Sequence, residues 1–227
     1  LIRAAKEGSR SAGRELPVAV KTRVGYNKNE IDTWIPEILA EHPAVLTIHA
    51  RTRKEMSKVP ARWEEVARVV KLAREIQKDI PDDERTLIVG NGDVTSLADG
   101  GARAQESGAD GVMVGRVIFG NPWFFSGVVC SVHNTDIAHP EPYLKRPDPM
   151  CRCVTIPEKL HVLAEHTRDF ENRLGQFKNF AIMKKHYKAY VSGFDGAKEL
   201  RVKLMDAENA DEVEHIVKEF LNDTKTP

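Results

Sequence analysis

The stretch from Leu87 to Phe125 constrains this chain more than any other. It reads LIVGNGDV, then TSLADGGARAQESGAD, then GVMVGRVIFGNPWFF. A short apolar strand ends in Asn91-Gly92-Asp93, a helix follows, and a second short apolar strand ends in Gly115-Arg116. Two parallel strands need a crossover of about a dozen residues, and a helix joining them in the right-handed sense gives a βαβ unit. Both strands end in small or polar residues, on the side where α/β proteins bind ligands. Glycine lets backbone N–H groups come close to a phosphate, and a guanidinium matches its oxygens.

The preceding residues repeat the pattern. Pro17–Thr22 (PVAVKT) reads as a strand carrying Lys21 near its end, and Asn29–Glu41 as a helix with Ile31, Trp34, Ile35, Ile38 and Leu39 at helical spacing. Pro36 inside that helix argues for a late start or a kink. Val45–His49 is a strand running into Ala50-Arg51-Thr52-Arg53, and Trp63–Lys78 a helix with Val66, Val69, Val70, Ala73 and Ile76 inward. Leu87–Val89, the helix Thr95–Ser107 weakened by Gly100-Gly101, and Val112–Val114 complete four strands alternating with helices, hence a parallel sheet. The expected fold class is α/β: the C-terminal half of a (β/α)8 TIM-type barrel followed by a small all-α helical domain. In such a barrel the late βα loops hold phosphate. Lys21 is then either a surface lysine or a cation at the barrel mouth. His49 is either a satisfied structural group or, with Arg51 and Arg53 beside it, part of a donor cluster for an anionic or carbonyl-bearing ligand.

From Ser126 to Pro157 the periodicity stops, and five of the chain's twelve prolines fall there, so residues 126–157 are expected to be a linker between a barrel part at 1–125 and a helical part at 158–227. Cys130, His133, Cys151 and Cys153 suggest zinc only weakly, because Cys-Arg-Cys has one intervening residue where structural zinc pairs have two or more. Free thiols are expected. After Pro157 come four amphipathic segments, Glu158–Leu174, Phe177–Val191, Ala197–Met205 and Ala210–Leu221, the last capped by Asn209 with Glu212 in the reciprocal position.

Lysine plus arginine equals aspartate plus glutamate over the whole chain, 34 each, so no global positive field announces a nucleic acid. The helical part differs: ten basic residues against five acidic between Lys159 and Lys203, with Lys184-Lys185-His186 interleaved by Tyr187 and Tyr190. A solvated helical surface explains most such runs, whereas cations interleaved with aromatics suit RNA. No apolar run is long enough to span a bilayer and no signal-peptide core opens the chain, so a cytoplasmic location is expected. The opening LIRAAKEGSRSAGRELP reads as the tail of a helix leading into a strand, with no initiator methionine, so an N-terminal portion is expected to be missing.

VKTRVG, LTIHARTR, IVGNGDV, ADGVMVGRVIFGNPWFF and MKKHYKAYVSG together resemble the tRNA-dihydrouridine synthases, in the order and approximate spacing of that family. The resemblance covers roughly 17–125 and, more loosely, 158–205. It implies an FMN-dependent barrel followed by a helical RNA-binding domain, with NADPH as reductant and tRNA as partner. By position it implies that Lys21 and His49 line the flavin ring and that Asn91, Gly92, Asp93, Gly115 and Arg116 hold its ribityl-phosphate end. Arg51, Arg53, Lys184, Lys185, His186 and Tyr190 are implied as RNA-binding residues, Arg51 and Arg53 through tRNA phosphate or the target uracil. The family's proton-donating cysteine sits in an Asn-x-Gly-Cys-Pro segment. No segment of this chain matches it, so no catalytic residue is assigned and the chain is expected to be a fragment. Two alternatives stay open: a non-catalytic tRNA-binding remnant, and another FMN barrel of the dihydroorotate dehydrogenase type. No metal and no stable protein partner are implied.

Overall fold

The computed structural model describes residues 1–13, 16–126 and 154–223, which divide into two compact units, Leu1–Gly115 and Arg116–Pro227. In the first unit a helix, α1 (Ile2–Ser11), precedes four strands that alternate with three helices: β1 (Ala19–Arg23), α2 (Ile31–Leu39), β2 (Val45–His49), α3 (Trp63–Ile76), β3 (Leu87–Asn91), α4 (Leu97–Ser107) and β4 (Gly111–Met113). The strands form one parallel sheet in the order β1-β2-β3-β4.

Strand alternation sorts the side chains. Leu46, Ile48 and Ile88 lie on one face and are buried with Ile31, Ile35, Val66, Val69 and Val70 of α2 and α3. The opposite face carries Lys21, Arg23, Thr47, His49, Val89, Asn91 and Met113, brought level by the registers Lys21–Thr47–Val89 and Arg23–His49–Asn91–Met113. Lys21, Leu87 and Met113 are exposed there. Parallel sheets normally have both faces covered. In this unit the helices cover one.

Local chemistry accounts for most boundaries. α2 begins at Ile31, two residues later than expected, where the Asn29 side chain accepts from the Ile31 N–H at 3.1 Å. Pro36 lies within it without ending it. α4 starts after Ser96, whose hydroxyl accepts from the Asp99 N–H at 3.0 Å, and ends at Gly108 in the left-handed conformation. One inward assignment is corrected: Ile76 is 42% exposed, and Trp34, which falls at the helical spacing of α2, is 47% exposed, its indole N–H donating to the Thr22 hydroxyl at 2.9 Å.

In the second unit the described residues form helices and short 3₁₀ turns: α5 (Ile156–Leu174), α6 (Lys184–Tyr190), α7 (Ala197–Asp206) and α8 (Ala210–Asp223). α5 starts two residues earlier than expected, inside a capping box between Thr155 and Glu158. Pro157 is tolerated in its first turn, where a missing N–H is no loss. The single helix expected over Phe177–Val191 is broken. Asn179 accepts from the Ala181 N–H at 2.8 Å, so a 3₁₀ turn at Phe180–Ile182 precedes α6. Asn209 caps α8 as expected, accepting from Glu212 N–H at 2.9 Å, while the Glu212 carboxylate takes the Asn209 amide and the Glu208 N–H. Leu160, Leu163, Met183, Tyr187, Tyr190, Leu200, Leu204, Val213 and Val217 form the core.

The segment Arg116–Phe125, grouped by sequence with the strands, belongs to the second unit. There the backbone of Gly120 rests on the chain at Ala189, where a Cβ would come within 2.5 Å of the carbonyl. The cysteine-rich linker, with Cys130, His133, Cys151 and Cys153, lies outside the described residues. Among those described, no group of His, Cys, Asp and Glu is arranged to hold a metal, and no helix is long and apolar enough to cross a membrane.

Candidate functional site

The C-terminal ends of β1, β2 and β3 converge on one cluster. Arg51, just beyond β2, is only 3% exposed, and its guanidinium touches three groups. Nε donates to the Val59 carbonyl at 2.6 Å, Nη1 to Nε2 of His49 at 3.2 Å, and Nη2 to the Asp93 carboxylate. Asp93 also accepts from the Ala61 N–H at 2.9 Å. It sits at φ +50, a left-handed conformation that aspartate tolerates better than most residues. Gly92 before it is at φ +133, and a Cβ there would lie 2.7 Å from the Cβ of Ala61, so the turn needs glycine. Asn91 ties β3 to β4, its side-chain amide donating to the Met113 carbonyl at 2.7 Å.

His49 stands half-buried among three cations. Burial first, then the charges of Arg23, Lys21 and Arg51, lower its pKa to about 4 against the opposing pull of Asp93. The imidazole is therefore neutral at physiological pH. Lys21 is also shifted down, by burial and then by Arg23.

Arg23 is the residue that sequence reasoning missed. It lies level with His49 in the β1–β2 register, and its guanidinium donates to the carbonyls of Thr52 at 2.9 Å and Met56 at 3.1 Å. The signal was its position two residues after Lys21, which in a strand means the same face. Lys21, Arg23, Tyr26, Trp34 and Arg53 also border an open cavity of about 780 Å³ at the β1 edge.

The expected site residues fare unequally. Lys21, His49 and Asn91 share the uncovered face, while Gly92 and Asp93 form the turn above it. Asp93 is engaged by Arg51 and Ala61, so its part there is to hold that turn. Gly115 is exposed, and a Cβ on it would meet nothing within 4 Å. Arg116, the next residue, is exposed and opens the second unit. Arg53 is exposed. Arg51, expected to meet tRNA phosphate or the target uracil, has its guanidinium buried under the turn and bonded to Val59, His49 and Asp93, which leaves it no exposed edge for a tRNA phosphate.

In the second unit the expected RNA cluster also divides. Lys185 is exposed, as is Lys188 one turn on. Lys184 donates to the Met205 carbonyl in the last turn of α7 at 2.6 Å. His186 is half-buried between the rings of Phe119 and His166, at centroid distances of 5.9 and 5.2 Å. Tyr190 is corrected: it is 4% exposed, a core residue whose hydroxyl meets Nδ1 of His166 at 3.1 Å, so its ring has no face for a base. Arg168 belongs to the fold as well, bonding Glu171, Asp211 and Glu214 and so fastening α5 to α8.

Comparison with known proteins matches residues 6–225 to a family model described as dihydrouridine synthase. The probable tRNA-dihydrouridine synthase 2 of Bacillus subtilis (strain 168) is 34% identical over 221 residues, covering 97% of this chain and 58% of that protein. The probable tRNA-dihydrouridine synthase of Staphylococcus aureus (strain MRSA252) is 35% identical over 222 residues, covering 97% and 57%. The chain thus spans less than three fifths of the length of these relatives.

Proposed function

The chain belongs to the dihydrouridine synthase family, and from that premise we propose that it is the cofactor-binding and RNA-docking part of an enzyme that reduces uridine in tRNA to 5,6-dihydrouridine, with FMN as redox group and NADPH as reductant. The observation that carries this reading is the row Arg23–His49–Asn91, with Lys21 one step below, on the uncovered face of a four-stranded parallel sheet. Four parallel strands with helices on one face have the organisation of half a (β/α)8 barrel, whose ligands bind at the C-terminal strand ends. The helices from residue 158 onward make the RNA-binding domain.

The residues suit the cofactor. Lys21 and the neutral His49 offer N–H donors to the carbonyl and ring-nitrogen edge of a flavin. Gly115 gives unobstructed backbone at a strand end, and Arg116 follows it with a guanidinium for phosphate. FMN, when bound, supplies the hydride that adds to C6 of the uracil. The protein's part is to fix ring and phosphate, to place positive charge beside the ring edge through Lys21 and Arg23, and to dock tRNA through Arg53, Lys185 and Lys188. A uridine must leave its stack to reach such a face. No residue of this chain is assigned as the proton donor to C5.

Titration of the chain with FMN, followed by visible absorption and quenching of flavin fluorescence, tests the reading. Saturable binding is expected, lost or weakened at least tenfold on replacing Asn91 and Arg116 together by alanine. No binding by the wild-type chain overturns the flavin assignment, and undiminished binding by the double variant overturns the phosphate assignment.

A further inference from the structure

We propose that Arg51 is a positioning residue that fixes His49 as the neutral Nδ1–H tautomer, so that the ring offers a ligand on the uncovered face one fixed hydrogen-bond donor and no transferable proton. The ligand class rests on the flavin reading above; the tautomer rests on the geometry alone.

An arginine guanidinium has N–H donors and no acceptor. The 3.2 Å approach of Nη1 of Arg51 to Nε2 of His49 therefore requires Nε2 to accept, and an accepting Nε2 carries no proton. In a neutral ring the proton is then on Nδ1. The surroundings hold the ring neutral: Lys21 and Arg23 on β1 and Arg51 after β2 face it with positive charge, and Asp93 after β3 is the one opposing group. Protonation would put an N–H on Nε2 directly against the guanidinium.

Arg51 cannot easily turn away. Val59 holds Nε, Asp93 holds Nη2, and Asp93 is itself held by the Ala61 N–H in a turn that Gly92 alone allows. The Nδ1–H of His49 has no acceptor among the described residues, on a ring that is half-buried at the end of β2. A pinned acceptor on one side of the ring and an uncommitted donor on the other is a device for reading a carbonyl oxygen or an unprotonated ring nitrogen. It also removes His49 from acid catalysis at neutral pH, since a neutral imidazole gives up its N–H proton far too reluctantly to act as an acid.

The test is long-range 1H–15N correlation on the full chain labelled at histidine, without FMN, with the His49 signal among the eight histidines identified by its loss in His49→Gln. The wild type is expected to show the Nδ1–H pattern, unchanged from pH 8 to 5.5. A predominant Nε2–H form, or rapid exchange between the two, overturns the proposal. Arg51→Met combined with Asp93→Asn removes the donor without leaving a buried charge unpaired, and asparagine tolerates the left-handed position. This variant is expected to move His49 to mainly Nε2–H, the form free imidazole prefers, and to raise its pKa by about one unit or more. An unmoved tautomer in it also overturns the proposal. Arg51→Lys keeps a cationic donor and is expected to restore the Nδ1–H form. That rescue separates a specific bond to Nε2 from a general loosening of the turn. FMN titration of the same samples is read separately: a locked ring in a chain that takes no FMN sinks the flavin reading alone, and bound FMN over an unlocked ring sinks the lock alone.

Discussion

The indole of Trp63 lies against the backbone of Gly90, so close that a Cβ on that glycine would overlap Cζ3 of the ring. The same indole donates its Nε1–H to the Gly92 carbonyl at 2.9 Å, so one side chain at the start of α3 both packs on β3 and holds the turn that follows it. Gly90→Ala is therefore expected to displace the ring and destabilise the first unit by about 2 kcal/mol. Chemical denaturation followed by tryptophan fluorescence measures it. A loss below about 0.5 kcal/mol counts against the packing described.

The Arg51–Asp93 pair makes a graded prediction. Asp93→Ala leaves a buried guanidinium unpaired and puts a Cβ-bearing residue with no local acceptor into the left-handed region, so a loss of roughly 2–3 kcal/mol is expected. Asp93→Asn keeps an acceptor for the Ala61 N–H and tolerates the conformation, and should lose only about 1 kcal/mol. Both variants remove the carboxylate charge, so equal losses would show that the acceptor for the Ala61 N–H and the tolerance of the left-handed position are immaterial and that the charge alone matters.

Stability should fall on mild acidification. Unfolded histidine takes up its proton near pH 6.5, and folded His49 only near 4. Between those values the unfolded chain binds more protons, so the contribution of His49 is full above about pH 6.5 and is lost as pH drops towards 4. With solvent screening of a half-exposed ring, the effect is roughly 1 kcal/mol. His166, shifted down by burial and then by His186, adds in the same direction. A melting temperature followed from pH 7.5 to 4.5 should decline less steeply in His49→Gln than in the wild type. Identical slopes would place the titration elsewhere.

Adjacent lysines on α6 should behave differently. Lys185→Ala with Lys188→Ala is expected to weaken tRNA binding and to flatten the plot of log affinity against log salt by about 0.7–0.9 for each phosphate no longer neutralised. Lys184→Ala removes the bond to the Met205 carbonyl and should instead lower the melting temperature of the helical unit. Equal effects of both changes on salt dependence would mean that Lys184 leaves α7 to meet RNA.

The alternation of strands and helices is written in runs of consecutive residues. Val45–His49 reads directly as a strand because apolar β-branched runs are a property of neighbours in the chain, and the cap at Asn209 reads directly because capping is local. The same locality put Lys21, His49 and Asn91 at strand ends. Position in the chain could not say which polar residues face outward. Arg51 and Arg53 look alike in HARTR, yet one is buried beneath the β3 turn and the other exposed, since only the fold brings Asp93 and Val59 to the first. Lys184 and Lys185 look alike in the same way until α7 presents its last carbonyls to one of them. Tyr190 stands in a basic run, yet the packing of α5 against α6 turns it inward onto His166. Most of these outcomes depend on a partner more than ten residues distant, and such pairings are settled by how the elements pack.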